Sequence, residues 1–193
     1  HCITQVERIA AAHPQVSFSV VHQGRTLLAL TAQPPKERAL ELLPEEFSSA
    51  QREVDAQAPG IRLHGWVGHP TASRTRPDAQ YFFVNGRYVR DRVLAHAVRA
   101  AYADVLHGGS QPMYCLHLTL DPRRVDVNVH PTKIEVRFRD SSAVHQFVLH
   151  AVQAALAESA QTVAPPVSEP GVRPSALWGA TTQQRLGVEQ SIA

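Results

Sequence analysis

Residues 126–138 read DVNVHPTKIEVRF, and they are the most informative stretch of the chain. Apolar side chains occupy every second position on both sides of Pro131, which is the alternation of a strand with one buried face. Proline fixes φ and has no N–H to donate, so Pro131 separates two strands. The stretch therefore predicts two short strands joined by a polar turn, with Lys133 at the bend. The alternating apolar residues are Val125, Val127, Val129, Ile134, Val136 and Phe138.

Lys133 stands where a chain would place a cation that meets a phosphate. Two other roles are open at this point, because a lysine on the open face of a strand is often a solvated charge or a guard against edge-to-edge pairing. No general rule makes a lysine beside a turn diagnostic of phosphate binding. The residue types alone leave these three roles unresolved.

A second block, residues 81–92, reads YFFVNGRYVRDR. The two blocks closely resemble the signature blocks of the MutL family of DNA mismatch-repair proteins. The opening of the chain, with Val6-Glu7-Arg8-Ile9-Ala10, His13-Pro14 and Val16-Ser17-Phe18, is similar to the last helix and strands of that family's ATPase domain. The resemblance covers about residues 1 to 157, and its two central motifs are long and ungapped.

The resemblance implies a division of the chain into three parts. Residues 1–33 would be the C-terminal remnant of a GHKL-type ATPase domain, the class that unites gyrase, Hsp90, histidine kinases and MutL. Residues 34–160 would be a transducer domain of ribosomal-protein-like fold, and Pro34-Pro35 punctuates the junction. Residues 161–193 have four prolines and no periodicity, which is typical of a disordered Pro-rich linker.

The fold class expected from the order of elements is α+β, a two-layer arrangement of a mixed β-sheet with helices on one face. The resemblance implies the transducer-type fold that is shared with the second domain of gyrase B. Local patterns place the elements. The predicted helices are 3–12, two within 36–58 (Arg38 to Leu43 and one after Pro44), one from Asp91 to Leu106 and one after Asp140. The predicted strands are 16–20, 25–30, 61–66, 81–84, 87–89 and 114–120.

Three sites carry the strongest local signals. Asn85-Gly86 predicts a tight hairpin, because a primed turn needs φ > 0 at both central positions. Asp91 and Asp140 each stand where the N-cap of a following helix is expected.

Composition bounds the class of protein. The chain has 193 residues, 44% of them hydrophobic, and a net charge of +2, which suits one or two small domains. It has no apolar run for a membrane helix and no signal segment. Cys2 and Cys115 do not make a disulfide framework, so a reducing cytosol is the expected location. The resemblance implies that it is a bacterial cytoplasm and that the protein is associated with the nucleoid. The eleven histidines lack paired metal-ligand spacing, so no metal site is expected.

The sequence lacks the parts of a complete enzyme. No Gly-rich phosphate loop follows a strand, and no nucleophile–base set stands out. The chain also opens without Met and already in helical periodicity, so it is expected to be a fragment. The resemblance implies that the parent protein is an ATPase that uses ATP and Mg²⁺, which the fragment alone does not bind. By the same match, Lys133 contacts the γ-phosphate and Asn128 supports the turn that aims it.

DNA is the second ligand that the resemblance implies. Arg92 matches a DNA-contact position of the family and is expected at a helix N-terminus, which also favours phosphate. The alternative is that Arg92 pairs with a nearby carboxylate. The resemblance also implies a homodimer in the parent, a MutS-type mismatch-recognition protein and a downstream endonuclease or helicase as partners, and no membrane. By spacing, the further DNA-binding candidates are Arg90, Arg87, Arg99 and His96.

Two functions of other classes stay open. The chain is also compatible with a stand-alone nucleic-acid-binding module of the same fold, without coupling to ATP, which would prefer RNA to DNA. It is further compatible with a protein-interaction domain whose basic face meets acidic partners, which would not bind nucleic acid at low salt. The two long blocks, including Lys133, favour the mismatch-repair function over both.

Overall fold

The structure, a computed structural model, describes residues 2–106, 108–127, 129 and 134–161, with side chains described as far as residue 157. These residues lie within one compact unit that spans residues 1–163. Its helices are α1 (Cys2–Ala12), α2 (Pro35–Leu42), α3 (Glu45–Ala50), α4 (Arg92–Ala101) and α5 (Ser141–Gln161). Its strands are β1 (Phe18–His22), β2 (Arg25–Leu30), β3 (Gln51–Ala58), β4 (Ile61–Gly68), β5 (Gln80–Val84), β6 (Arg87–Tyr88), β7 (Tyr114–Leu120), β8 (Val125–Asp126) and β9 (Arg137–Phe138).

The central sheet has five strands in the order β3-β4-β7-β5-β6. β5 runs parallel to β7, and the other neighbours are antiparallel. The parallel pair is possible because β6 and α4 form the connection between β5 and β7. The predicted α+β class with a mixed sheet is therefore confirmed. A separate hairpin, β1–β2, precedes the sheet.

One face of the sheet packs against α4 and α5, as predicted. Alternate residues of β4 and β7, among them Leu63 and Leu116, point to these helices and are fully buried. Val144, Val148 and Val152 form the predicted buried stripe of α5. Burial of each such side chain contributes about 1.5–3 kcal/mol, and this cluster is the larger of the two cores.

The opposite face of the sheet carries a second, smaller core. Trp66, Phe83 and Cys115 point to this side and pack with Phe47 of α3 and Ala39 of α2. The C-terminal end of α1 also joins this cluster. Burial raises the pKa of the Cys115 thiol to about 12, whereas Cys2 is exposed, and both thiols are free.

The prediction for residues 36–58 was partly wrong. α2 and α3 are present, but α3 ends at Ala50 and an eight-residue strand, β3, follows it. β3 pairs with β4 along its whole length. Its inward positions include Ala56 and Ala58, whose small side chains make a weak alternating pattern, and this is why the sequence did not reveal the strand.

α4 is shorter than predicted. It ends at Ala101, and turns follow it in place of the helix that was expected to reach Leu106. The apolar stripe continues past the helix because Tyr102 stays buried, with its hydroxyl donating to the main-chain oxygen of Gly68. Gly108 and Gly109 then adopt positive φ.

The two strands predicted around Pro131 are also shorter than expected. Among the described residues of this stretch, the paired strands are β8 and β9, with Val125 opposite Phe138, and the amide of Arg139 donates to the carbonyl of Arg124. Val136 and Phe138 are buried, as the alternation predicted, but Val129 is 37% exposed. A strand pair of two residues each holds few hydrogen bonds, so the burial of Val136 and Phe138 adds to the pairing of β8 with β9.

Two glycines are required by the backbone. Gly86 has φ 77° and Asn85 has φ 49°, which confirms the predicted primed turn between β5 and β6. Gly65, in β4, has φ 134°, and a Cβ there would collide with the main-chain oxygen of Cys115 in β7.

Among the helices that the structure describes, none combines the length and the hydropathy that a bilayer span requires.

Candidate functional site

The segment between β8 and β9 is the first candidate site. Lys133 and Asn128, the residues predicted to act on phosphate, lie outside the described residues, as do His130, Pro131 and Thr132. Ile134, which directly follows Lys133, is described and half-buried.

Ile134 is the first described residue after Lys133. It lines a surface cavity of about 380 Å³ whose other walls come from α1 and from the β5–β6 turn. The main-chain oxygen of Ile134 accepts a hydrogen bond of 2.6 Å from the amide of Arg90. The residue after Lys133 is therefore held against the second family block.

The β5–β6 turn is fixed by the side chain of Asn85. Its Oδ1 accepts from the amide of Leu120 at 3.0 Å, and its Nδ2 donates to the carbonyl of Leu120 at 3.0 Å. The amide group therefore pairs with β7 as a strand residue would. This contact sets the position of the turn, and with it that of Arg87.

Asp91 is the N-cap of α4, as predicted. Its Oδ1 accepts from the amides of Val93 at 2.9 Å and Leu94 at 3.1 Å. Burial raises the pKa of the Asp91 carboxyl, and the nearby Glu135 adds to the rise, although the two amides oppose it. The cap places Arg92 at the first position of the helix.

Arg92, His96 and Arg99 lie at i, i+4 and i+7 of α4, and all three are exposed. Two of them also have side-chain partners. Nη1 of Arg99 donates to Oε1 of Gln111 at 2.9 Å. Nδ1 of His96 lies 2.9 Å from Nε2 of His145 on α5. The structure thus brings three of the five predicted DNA-binding residues together on one helix face.

The remaining two predicted arginines lie before this helix. Arg90 is exposed, and its Nε donates to the hydroxyl of Tyr88 at 3.1 Å. Arg87 lies at the start of β6 and borders the same cavity as Ile134. Arg87 therefore lies beside Ile134 and α1, whose residues line the same cavity.

Surface cavities flank Arg92. One, of about 280 Å³, also includes Arg90 and Tyr88. The other, of about 490 Å³, includes Arg137, Glu135 and Ser141, so the N-termini of α4 and α5 border it together. Arg92 thus lies between two concave surfaces, and Arg137 joins it as a second guanidinium on one of them.

Ion pairs do not account for these arginines. Within the part of the chain that the structure describes, the ion pairs are Arg62 with Asp55 at 3.0 Å and Arg123 with Asp121 at 2.6 Å. Arg92 is therefore not paired with any described carboxylate, which disfavours the alternative of a purely structural arginine. Arg123 also lowers the pKa of Asp121 to about 2 through their hydrogen bond.

Sequence reasoning missed the connecting role of Tyr88. Its ring lies edge-on to Tyr81 and Phe83, at centroid distances of 6.4 and 5.9 Å. The guanidinium of Arg8 on α1 lies over the same ring, 4.4 Å from its centroid. Tyr88 therefore links α1 to the second family block through the Arg8 contact with its ring. Within that block, its hydroxyl accepts from Arg90. Its place in the YFFVNGRY run gave no signal beyond cross-strand packing.

A row of stacked rings crosses the second face of the sheet. His117 on β7 stacks on His64 of β4 at 5.1 Å and on Phe83 of β5 at 4.6 Å. Burial, together with the charge of His64, lowers the pKa of His117 to about 4. In the described ranges no three His, Cys, Asp or Glu side chains are grouped as metal ligands.

The sequence is similar to a family of known proteins. The family model described as "DNA mismatch repair protein, C-terminal domain" matches residues 39–157. DNA mismatch repair protein MutL of Herminiimonas arsenicoxydans is 52% identical over 186 residues, which are 95% of this chain and 30% of that protein. MutL of Janthinobacterium sp. (strain Marseille) is 48% identical over 204 residues, which cover 100% of this chain and 33% of that protein. The chain thus spans about a third of the length of these curated relatives.

A solved structure is similar in fold. The crystal structure of the N-terminal domain of a DNA repair protein matches 84% of this chain and 54% of that one, with a TM-score of 0.70 and 19% sequence identity. At this identity the match concerns the fold.

Proposed function

Because the chain belongs to the MutL family of DNA mismatch repair proteins, we propose that it supplies the transducer part of a longer, ATP-dependent repair protein. Residues 34–160 are that part, and residues 1–33 are the end of a GHKL-type ATPase domain. Residues 161–193 serve as a Pro-rich linker. The family match over residues 39–157 and the approximately one-third coverage of the MutL relatives support this division.

Lys133 is the nucleotide-sensing residue of the proposal. A compact ammonium that reaches the γ-phosphate of ATP stabilises the charge that builds up during phosphoryl transfer. Because Lys133 belongs to one part of the protein and ATP with its Mg²⁺ to another, nucleotide binding becomes coupled to their relative positions. Asn128 shapes the turn that aims the ammonium. The wall that Ile134 shares with α1 supports this role, since α1 belongs to the ATPase part.

DNA is bound through its backbone by the exposed face of α4. Arg92, His96 and Arg99 follow one another along that face, and Arg90 and Arg87 extend the basic surface towards the β5–β6 turn. Contacts of this kind go to phosphates and not to base edges, so binding is independent of sequence and sensitive to salt. The absence of a described carboxylate partner for Arg92 supports this role.

One observation carries the proposal. The hydrogen bond from Arg90 to Ile134 joins the block that would bind DNA to the block that would sense ATP. By the family resemblance, the proposal extends to a homodimer, to a MutS-type protein and a downstream endonuclease or helicase as partners, and to the bacterial cytoplasm as location.

Fluorescence anisotropy tests the DNA part of the proposal. The 193-residue chain is titrated onto two duplex DNAs of unrelated sequence and onto an RNA duplex, between about 25 and about 200 mM salt. We expect equal affinity for both DNAs and a steep loss of affinity with salt. A clear preference for RNA would favour the stand-alone module, and no binding at low salt would favour the protein-interaction domain.

A further inference from the structure

Arg38, on α2, is a buried cation that no carboxylate neutralises within the described part of the chain. It is 1% exposed, and its neighbours are main-chain carbonyls. Nη1 donates to Ala10 at 3.0 Å, and Nη2 donates to Thr31 at 2.5 Å. Nη2 also lies within hydrogen-bond distance of Val16 at 3.1 Å and Pro14 at 3.3 Å.

All four acceptors lie in residues 1–33, whereas Arg38 lies in residues 34–160. Ala10 is close to the C-terminus of α1, where the helix dipole is negative and favours a cation. The guanidinium carbon also lies 5.7 Å from the ring centroid of Phe18 on β1. One side chain therefore contacts the helix, the connection and the hairpin of the first part.

A guanidinium suits this position better than an ammonium. Its planar fork carries donors that point in several fixed directions, whereas lysine offers one point charge. Withdrawal of Arg38 would leave several carbonyls without its hydrogen bonds, which is costly for those that stay buried. A hinge, by contrast, is formed by a few residues that change their backbone angles freely. Pro34-Pro35 looks like a hinge in the sequence, yet Arg38 spans it.

We propose that Arg38 clamps residues 1–33 onto residues 34–160, so that the joint at Pro34-Pro35 is rigid and is not the site of nucleotide-driven movement. Arg38 is then a positioning residue. It holds the exposed face of α4 in a fixed relation to residues 1–33, so that movement driven by nucleotide takes place elsewhere in the longer protein. This functional consequence rests on the proposed function, whereas the clamp itself does not.

Distance measurement between spin labels tests the clamp. One label is attached to Cys2 on α1, which is exposed, and the other to a cysteine introduced by Gln153→Cys on the exposed side of α5. Cys115 is buried and stays unlabelled. We expect one narrow distance distribution in the otherwise unchanged chain, and a distribution about twofold broader in Arg38→Met. A broad or two-peaked distribution before that substitution would overturn the rigid joint.

A second variant and two controls keep the test decisive. Arg38→Lys retains the charge and should also broaden the distribution, and it serves if Arg38→Met does not fold. Gln33→Ala removes another side-chain link across the joint, a hydrogen bond to Glu41 at 2.5 Å, and should leave the distance distribution unchanged. A label pair within residues 34–160, at Thr119→Cys and Gln153→Cys with Cys2→Ser, should stay narrow. Folded Arg38 variants that stay narrow between α1 and α5 would refute the clamp.

ATP turnover separates the clamp from its function. In the full-length protein, Arg38→Lys should lower kcat severalfold with little change in KM for ATP, since the residue acts on geometry and not on nucleotide affinity. Broadened distances with unchanged kcat would remove the positioning role and leave the clamp. Normal turnover in a Lys133→Ala protein would instead remove the proposed function.

Discussion

The amide of Arg90 donates a 2.6 Å hydrogen bond to the carbonyl of Ile134. One residue precedes the cap of α4, and the other follows Lys133 in the chain. If the main chain moves at either residue, the hydrogen bond is stretched or broken. That costs free energy, because the amide and the carbonyl are then left without a partner. In the proposed function, the bond is the direct route between the DNA-binding helix and the nucleotide-sensing segment.

Charge reversal at Arg92 tests the DNA surface. Arg92→Glu should weaken binding to duplex DNA about tenfold at low salt and lower the slope of log K against log salt by about one, the loss of one phosphate contact. Anisotropy titrations at several salt concentrations measure both. Arg25→Glu, on the exposed part of β2, makes the same change in net charge and should have a much smaller effect. Equal salt slopes for all three proteins would exclude Arg92 from the interface.

The two lysines of the chain form a matched pair for testing nucleotide sensing. Lys133→Ala in the full-length protein should reduce ATP turnover about 10- to 100-fold, as expected for loss of one cation at a transferring phosphoryl group. Lys36→Ala, at an exposed position in the first turn of α2, should leave turnover unchanged. Steady-state phosphate release measures the rates, and thermal unfolding checks that both variants fold. Turnover equal to that of the parent in Lys133→Ala would end the assignment.

The row of rings on the second face should make the fold sensitive to acid. Since the pKa of His117 is lowered to about 4 in the folded state, the unfolded chain binds the proton more readily. The contribution of His117 to the free energy of unfolding should therefore be largest above about pH 6.5. It should decrease towards pH 4, by up to about 1.4 kcal/mol per pH unit. Urea unfolding at several pH values measures the slope.

His117→Phe keeps a ring between His64 and Phe83 and should remove that part of the slope. His22→Gln, at an exposed position on β1, serves as the control and should leave the slope as it is. An identical pH dependence in the His117→Phe variant would show that other groups control the acid sensitivity.

Variants of Asn85 separate the backbone angle from the hydrogen bonds. Asn85→Gly keeps the positive φ but loses both bonds to Leu120, which should cost about 1–2 kcal/mol. Asn85→Ala loses the bonds and places an alanine in the left-handed region, which should add about 1 kcal/mol. Chemical denaturation gives both values. If Asn85→Gly were as destabilising as Asn85→Ala, the positive φ at this position would not strain an alanine.

Local features were predictable from the sequence because few residues determine them. The Asn85-Gly86 turn needs two positive φ angles, and Asp91 caps the helix that begins next to it. Neither the turn nor the cap depends on residues that are distant in the sequence. The buried stripe of α5 follows from the helical period alone. The family blocks then led to the proposed site residues, which composition alone could not indicate.

Features that depend on long-range contacts were not predictable. Arg38 looked like an ordinary helical arginine, because its acceptors at Ala10 and Thr31 come close only in the folded chain. The stacking of His64 on His117 needs the register of β4 and β7. β3 was missed since its small inward side chains gain their burial from α5 and β4 and not from a strong pattern of their own.

Replacement of Gly65 by mutation would affect the cell that makes this protein and its descendants. Any codon change that replaces it, whatever the new amino acid, adds a carbon that meets the carbonyl oxygen of Cys115 at the centre of the sheet. A Cβ at Gly86 or Gly24 would meet no atom within 4 Å, so only their positive φ opposes substitution there. Under the proposed function, a cell that acquires a missense change at Gly65 weakens its own replication-error correction, and its descendants then accumulate mutations faster.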